Sequence, residues 1–174
     1  MKFTELSFDQ FKMIIKRVFN QVEEYHFEIY KKTKNYKVII PFEYLFTKNN
    51  FKINKINSNF NPEDITDLSE GLNQMLQILF NEKKEFDEII IYRSDTLTLN
   101  NNPSILLSDV NIIDTLVYNY SNYFSSNFVF DICMDDIYFI DVKNYFFYAY
   151  EHPGIMYSVK LPPVLEDLDQ WCFL

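Results

Sequence analysis

Apolar residues recur along this chain in two rhythms, and the switches between them outline its elements. Phe8, Phe11, Ile15, Val18 and Val22 return at helical spacing, so residues 8–22 read as an amphipathic helix. Ser7 and Gln10 open it in a capping-box pattern, which satisfies N–H groups that a helix start leaves without partners. At Tyr25 the rhythm becomes period two, with Tyr25, Phe27 and Ile29 on one face and His26, Glu28 and Tyr30 on the other. Lys32 to Asn35 form a polar turn, and Tyr36 to Phe46 continues as a second extended segment. Pro41 inside that segment cannot donate to a ladder and marks an edge strand or a break. Phe51 to Ile56 adds a short third strand.

Asn61-Pro62-Glu63-Asp64 is a strong helix start, with an Asn cap, Pro in the first turn and acids at the positive dipole end. Ile65, Leu68, Leu72, Met75, Leu76 and Leu79 complete its apolar stripe. Phe86 to Tyr92 reads as a buried strand, and Asn100 to Pro103 as a loop. Ser108 is expected to cap a further helix carrying Val110, Ile113, Val117, Tyr120 and Phe124. The last third is mostly extended. Phe128 to Cys133 and Ile137 to Val142 form a predicted hairpin turning near Met134-Asp135-Asp136. Tyr145 to Tyr150 and Ile155 to Leu161 form another, turning at Glu151-His152-Pro153-Gly154, and Pro162-Pro163 ends it. No repeat or linker divides the chain. The expected fold is α+β in a single domain over residues 1–174, about three helices packed on a largely antiparallel sheet.

Composition narrows the class. Aromatic residues make up 18% of the 174 residues, a load that excludes a disordered chain. A domain of this length buries roughly 70% of its unfolded surface, so its core needs no staples. Two glycines all but exclude glycine-cradled phosphate sites, and a net charge of −9 opposes duplex DNA. No apolar run approaches the ~18 residues that cross a bilayer. Met1 to Leu6 meets charge before a secretory signal's apolar run can form. Cys133 and Cys172 share no metal-ligand spacing; they read as reduced packing residues, with a single disulfide left open. The expected setting is cytoplasmic, with no cofactor, no metal, no membrane and no nucleic acid; oligomeric state stays open.

The charge is unevenly placed. Residues 1–60 carry 11 Lys+Arg against 6 Asp+Glu, whereas residues 61–174 carry 5 against 19. A mildly basic first third (+5) therefore meets a strongly acidic remainder (−14). Between Arg93 and Lys143 there is no basic residue. In the predicted hairpin there, Asp131, Asp135, Asp136 and Asp141 alternate with Phe130, Ile132, Tyr138 and Phe139. Carboxylates flanked by aromatics suit a basic protein partner, because charge steers association and aromatic anchors hold it. Asp131, Asp135, Asp136, Tyr138 and Asp141 are the candidate partner-binding residues, with Tyr148 and Trp171 as further anchors. The competing expectation is an ordinary sheet whose acidic face meets water.

Chemical alternatives are thinner. Asp131, Asp135 and Asp136 lack the central Gly and final Glu of a calcium loop, and Asp pairs in tight turns are usually solvated. Glu151-His152 is the one acid–His pair in a predicted loop, without a visible orienting partner. His26 falls mid-strand. Lys31, Lys32, Lys34, Lys37, Lys48, Lys52 and Lys55, interleaved with Tyr30, Tyr36, Phe46 and Phe51, have the make-up of a single-strand-binding patch. They read more simply as solvated lysines guarding strand edges. No catalytic residue is assigned, and the chain is not expected to be an enzyme.

In its size, acidity, scarcity of glycine and Asp/aromatic C-terminal half, the chain resembles the cytoplasmic immunity proteins that neutralise bacterial contact-dependent or polymorphic toxins. The resemblance spans the whole chain at the level of composition and carries over no functional residue. It implies an α+β binding protein that blocks a basic toxin, many such toxins being nucleases. The alternatives are a phage- or host-encoded adaptor or nucleic-acid mimic and, last, a hydrolase using Glu151 and His152.

Overall fold

The computed structural model describes residues 2–7, 10, 13, 14, 17, 42–95, 104–113, 135–151 and 154–163. Its framework is a seven-stranded sheet in which every neighbouring pair is antiparallel. The strands are β1 (Lys2–Leu6), β2 (Ile53–Ile56), β3 (Glu85–Asp95), β4 (Ser104–Asn111), β5 (Asp135–Asp141), β6 (Phe146–Glu151) and β7 (Ile155–Lys160). Across the sheet they run β1-β4-β3-β5-β6-β7-β2. The C-terminal strands form a meander, and the two strands from the N-terminal third supply the outer edges. Strand β5 is thus the central one.

Two helices are bounded among the described residues, α1 (Phe42–Lys48) and α2 (Leu68–Phe80). They lie on opposite faces. On the first face Phe42 and Phe46 of α1 pack with Ile90, Tyr138, Ile140, Phe147, Ala149, Tyr157 and Val159. On the second, Leu72, Met75, Leu76, Leu79 and Phe80 of α2 pack with Ile89, Ile91, Ile137, Phe139, Tyr150 and Met156. Successive strand residues point to opposite faces, so Ile137-Tyr138-Phe139-Ile140 sends alternate side chains into two cores. A strand covered on both sides reads as an unbroken apolar run, which explains Ile89-Ile90-Ile91 as well.

Much of the local reading holds. Ser7 N–H donates to Gln10 Oε1 at 2.7 Å and Gln10 N–H to Ser7 Oγ at 3.2 Å, a reciprocal box, and residues 10, 13, 14 and 17 are helical. β3 and the β6–β7 hairpin fall where they were expected. Asn61 caps a 3₁₀ turn, Pro62–Asp64, and α2 starts later, at Leu68, where Asp67 Oδ1 accepts from Glu70 N–H at 3.3 Å.

Four expectations are corrected. Sheet dominates the described residues, and two helices are bounded among them where about three were expected. Phe42–Lys48 is helix and not extended chain: Phe42 and Phe46, four apart, share one apolar stripe, and Thr47 Oγ1 donates to the Glu43 carbonyl at 2.8 Å. Ser108 lies inside β4, paired with Lys2 and Glu88. The helical turn begins at Ile112, with Asn111 Oδ1 accepting from Ile113 N–H at 3.2 Å. Cross-strand pairing on both sides outweighed a favourable cap. Asp135 and Asp136 are not a turn: they begin the central strand, opposite Asp95 and Ser94. The expected strand at 25–30, the 36–41 part of the second extended segment, the 114–124 part of the expected helix, the strand at 128–133 and the tail beyond residue 163 lie outside the described residues.

Candidate functional site

The sheet register sets a row of aromatic side chains on the first face. Tyr92 pairs with Tyr138, Tyr138 with Ala149, Ala149 with Tyr157, and Tyr157 with Lys55. The small Ala149 leaves room between two phenols, which lean toward the neighbouring carboxylates. Phe42 of α1 meets the Tyr138 ring edge-on at 4.6 Å, and Tyr92 stacks on it at 6.1 Å.

Beside this row stand two acids. Ile137 pairs with Tyr150, so Asp136 and Glu151 come one step further along the same two strands. Both are buried, Asp136 at 7% exposure and Glu151 at 5%. The Tyr157 hydroxyl donates to Glu151 Oε1 at 2.8 Å. The Tyr138 hydroxyl faces Glu151 Oε1 and Asp136 Oδ2 at 3.4 Å each; its single proton serves one of them at a time. Above the cluster, Glu43 of α1 pairs with Lys55 of β2 at 2.8 Å.

Burial pushes the Glu151 carboxyl up to about 7; the Tyr157 hydrogen bond opposes this, and the charge on Asp136 adds to it. Burial also drives the Tyr138 and Tyr157 hydroxyls well above the usual phenol range, with the nearby carboxylates adding. The phenols therefore remain donors, and burial lets the Glu151 carboxyl keep its proton up to about neutrality. Such a cluster can bind and release a proton inside the domain.

A second acidic centre organises the other face. Asp141 is fully buried and forms an ion pair with Lys83, which follows α2. The Asn144 backbone N–H donates to Asp141 Oδ1 at 3.1 Å, and its side-chain amide reaches Oδ2 at 3.0 Å. Asp141 thereby closes the β5–β6 turn and ties it to the turn after α2. Lys83 also sits 4.3 Å over the Phe86 ring.

The candidates chosen from sequence are thus dispersed. Asp136 and Tyr138 meet in the first-face cluster; Asp141 and Tyr148 belong to the second face, where burial and then Asp141 raise the Tyr148 hydroxyl to about 12. Asp135 starts β5. Asp131 and Trp171 lie outside the described residues, as do His26, His152, Cys133 and Cys172. Asp136, Tyr138 and Asp141 are interior side chains, where the alternating pattern had suggested an outward acidic face; a central strand with helices on both sides has no outward face. Glu151 is the end of β6 and not a loop residue. Tyr157 was missed, although its period-two relation to Val159 places it on a core face.

Among the described residues no group of three or more His, Cys, Asp or Glu side chains gathers as a metal site, and no helix is long and apolar enough to cross a membrane. No protein-family model matches the chain, and no curated protein or solved structure shows significant similarity to it.

Proposed function

We infer that the chain is a stoichiometric binding protein of the immunity kind, which neutralises a basic toxin domain by docking on it and covering its active site. The observation that carries this reading is the exposed charge. Glu63, Asp64, Asp67 and Glu70 are all exposed around the start of α2, and no Lys or Arg occurs between Lys55 and Lys83. These four carboxylates, carried by the 3₁₀ turn, the capping position Asp67 and the first turn of α2, present a negative surface able to steer a basic partner. They take the place of the buried Asp136 and Asp141 in the docking face.

The test begins with co-purification from the native host and identification of a basic partner in a 1:1 complex. Glu63→Lys with Glu70→Lys should then slow association at low salt by tenfold or more, with little change at high salt. A rate untouched by the reversal removes this surface from the proposal. A regulatory DNA-binding protein recovered in place of a toxin favours the adaptor alternative.

One arrangement favours a second reading, an acid–base enzyme: the Glu151 carboxyl, which burial pushes up to about 7, lies between two hydroxyl groups. Its 5% exposure opposes direct contact with a substrate. Loss of a turnover in Glu151→Gln with partner binding intact would favour the enzyme.

A further inference from the structure

Helix α1 has seven residues, too few to be stable alone. It is held by what lies beneath it. Phe42 packs on Tyr138 and on Phe147, at 4.6 and 5.2 Å, and Phe46 on Phe147 at 4.8 Å and on Tyr157 at 6.5 Å. Two of these three rings, Tyr138 and Tyr157, are the ones whose hydroxyls face the buried acids.

The described titratable groups around Glu151 come from β5, β7, β2 and α1. They are Asp136 and Tyr138 from β5, Tyr157 from β7, Lys55 from β2 and Glu43 from α1, with Tyr92 of β3 beyond Tyr138. Glu43, Asp136 and Glu151 are carboxylates, the charges on Asp136 and Glu43 both disfavour a charge on Glu151, and Glu43 pairs with Lys55 at 2.8 Å. Fully ionised, the group sets like charges on adjacent strands, an unfavourable arrangement. One of the three belongs to the helix itself. A single proton on Glu151 removes the repulsion while leaving Tyr157 as its hydrogen-bond partner.

We propose that Asp136, Tyr138, Glu151 and Tyr157 form a one-proton site that latches α1 to the sheet. With the proton bound, Phe42 and Phe46 lie on the tyrosine row. With it released, the charged Glu151 draws water toward the cluster, and Glu43 is pushed outward with its helix. Burial of Glu151 sets the change near neutrality, where a modest shift in pH alters the population.

Hydrogen exchange of the α1 amides, expressed as protection relative to the unstructured rate at each pH, tests this on the intact protein. Protection over Phe42–Lys48 should fall by roughly tenfold or more between pH 5.5 and 8.5, because each unit of difference in proton affinity between latched and released states is a factor of ten. Strands β3 and β5 should change less. Glu151→Gln, neutral at every pH, should abolish the dependence. Tyr157→Phe removes a bond that favours the charged form and should move the midpoint to higher pH; this variant decides the matter if Glu151→Gln does not fold. Protection of α1 that is flat in the native protein overturns the latch, as does a midpoint unmoved in Tyr157→Phe.

Discussion

Replacing Asp141 by Ala separates a residue that builds the fold from one that meets a partner. Its carboxylate is fully buried, ion-paired with Lys83 and bonded to the backbone and side-chain N–H groups of Asn144. Removing one member of a buried pair costs about 3–5 kcal/mol, because the other charge stays desolvated. Lys83 is 35% exposed, so its ammonium can turn to water and the cost falls at the low end of that range. Loss of the Asn144 bonds adds about 1 kcal/mol each where no water replaces them. We therefore expect about 3 kcal/mol for Asp141→Ala and roughly half as much for Asp141→Asn, which keeps an acceptor for Asn144. Urea unfolding reads this directly: with a slope near 2 kcal/mol/M, the midpoint should move down by about 1.5 M. Adding Lys83→Ala should cost little more, and the double-mutant cycle should return a coupling of about 1–3 kcal/mol. A loss under about 1 kcal/mol with an unchanged slope, or a coupling near zero, would refute the structural role and return Asp141 to the list of surface candidates.

Three further outcomes are expected. The folded state holds the Glu151 carboxyl up at about 7 against an ordinary 4.5, so it binds more protons than the unfolded chain. Stability should be fullest below about pH 4.5 as far as this group is concerned, and be lost as pH rises through about 7, by up to roughly 3 kcal/mol; urea melts of Glu151→Gln should lack this fall. Gly71→Ala should destabilise by about 1–3 kcal/mol despite the better helix former. A Cβ there would sit 2.5 Å from Ile65 Cδ1 and 2.6 Å from its Cγ2, so thermal melts should show Ile65→Ala partly relieving the loss. Ser7→Ala removes the Oγ that accepts from Gln10 N–H while keeping the residue 7 backbone N–H bond to Gln10 Oε1, and should cost about 0.5–2 kcal/mol by the same measurement.

What could be read from the chain divides by range. The Ser7–Gln10 box, the stripe of α2 and the alternation in β6 and β7 are local patterns, and each appears as expected. Phe42–Lys48 departs from the extended expectation because Pro41 has two meanings, an edge or break in a strand and the start of a helix. A Pro just ahead of Phe42, an acid in the first turn and Lys48 in the last equally announce a helix. Ser108 shows the opposite failure. Its capping chemistry is sound, but Ser104–Asn111 pairs with β1 on one side and β3 on the other, and no local pattern carries that information.

The acids of β5 show why the candidate site was legible in membership and not in meaning. An Asp alternating with aromatics predicts an outward acidic face only if the strand has an outward face. Here Asp135-Asp136 and Asp141 bracket Ile137-Tyr138-Phe139-Ile140, the middle of the central strand. Charges placed at its two ends are those that can reach hydrogen-bond donors beyond the apolar layer, Tyr138 at one end, and Lys83 and Asn144 at the other. The same basic-free stretch that suggested a docking surface therefore supplies buried carboxylates. Burial and a neighbouring carboxylate both favour the protonated form of an acid, and Glu151 has both, with Asp136 beside it. The outward charge has to come from elsewhere in the acidic remainder, and the exposed Glu63, Asp64, Asp67 and Glu70 supply it.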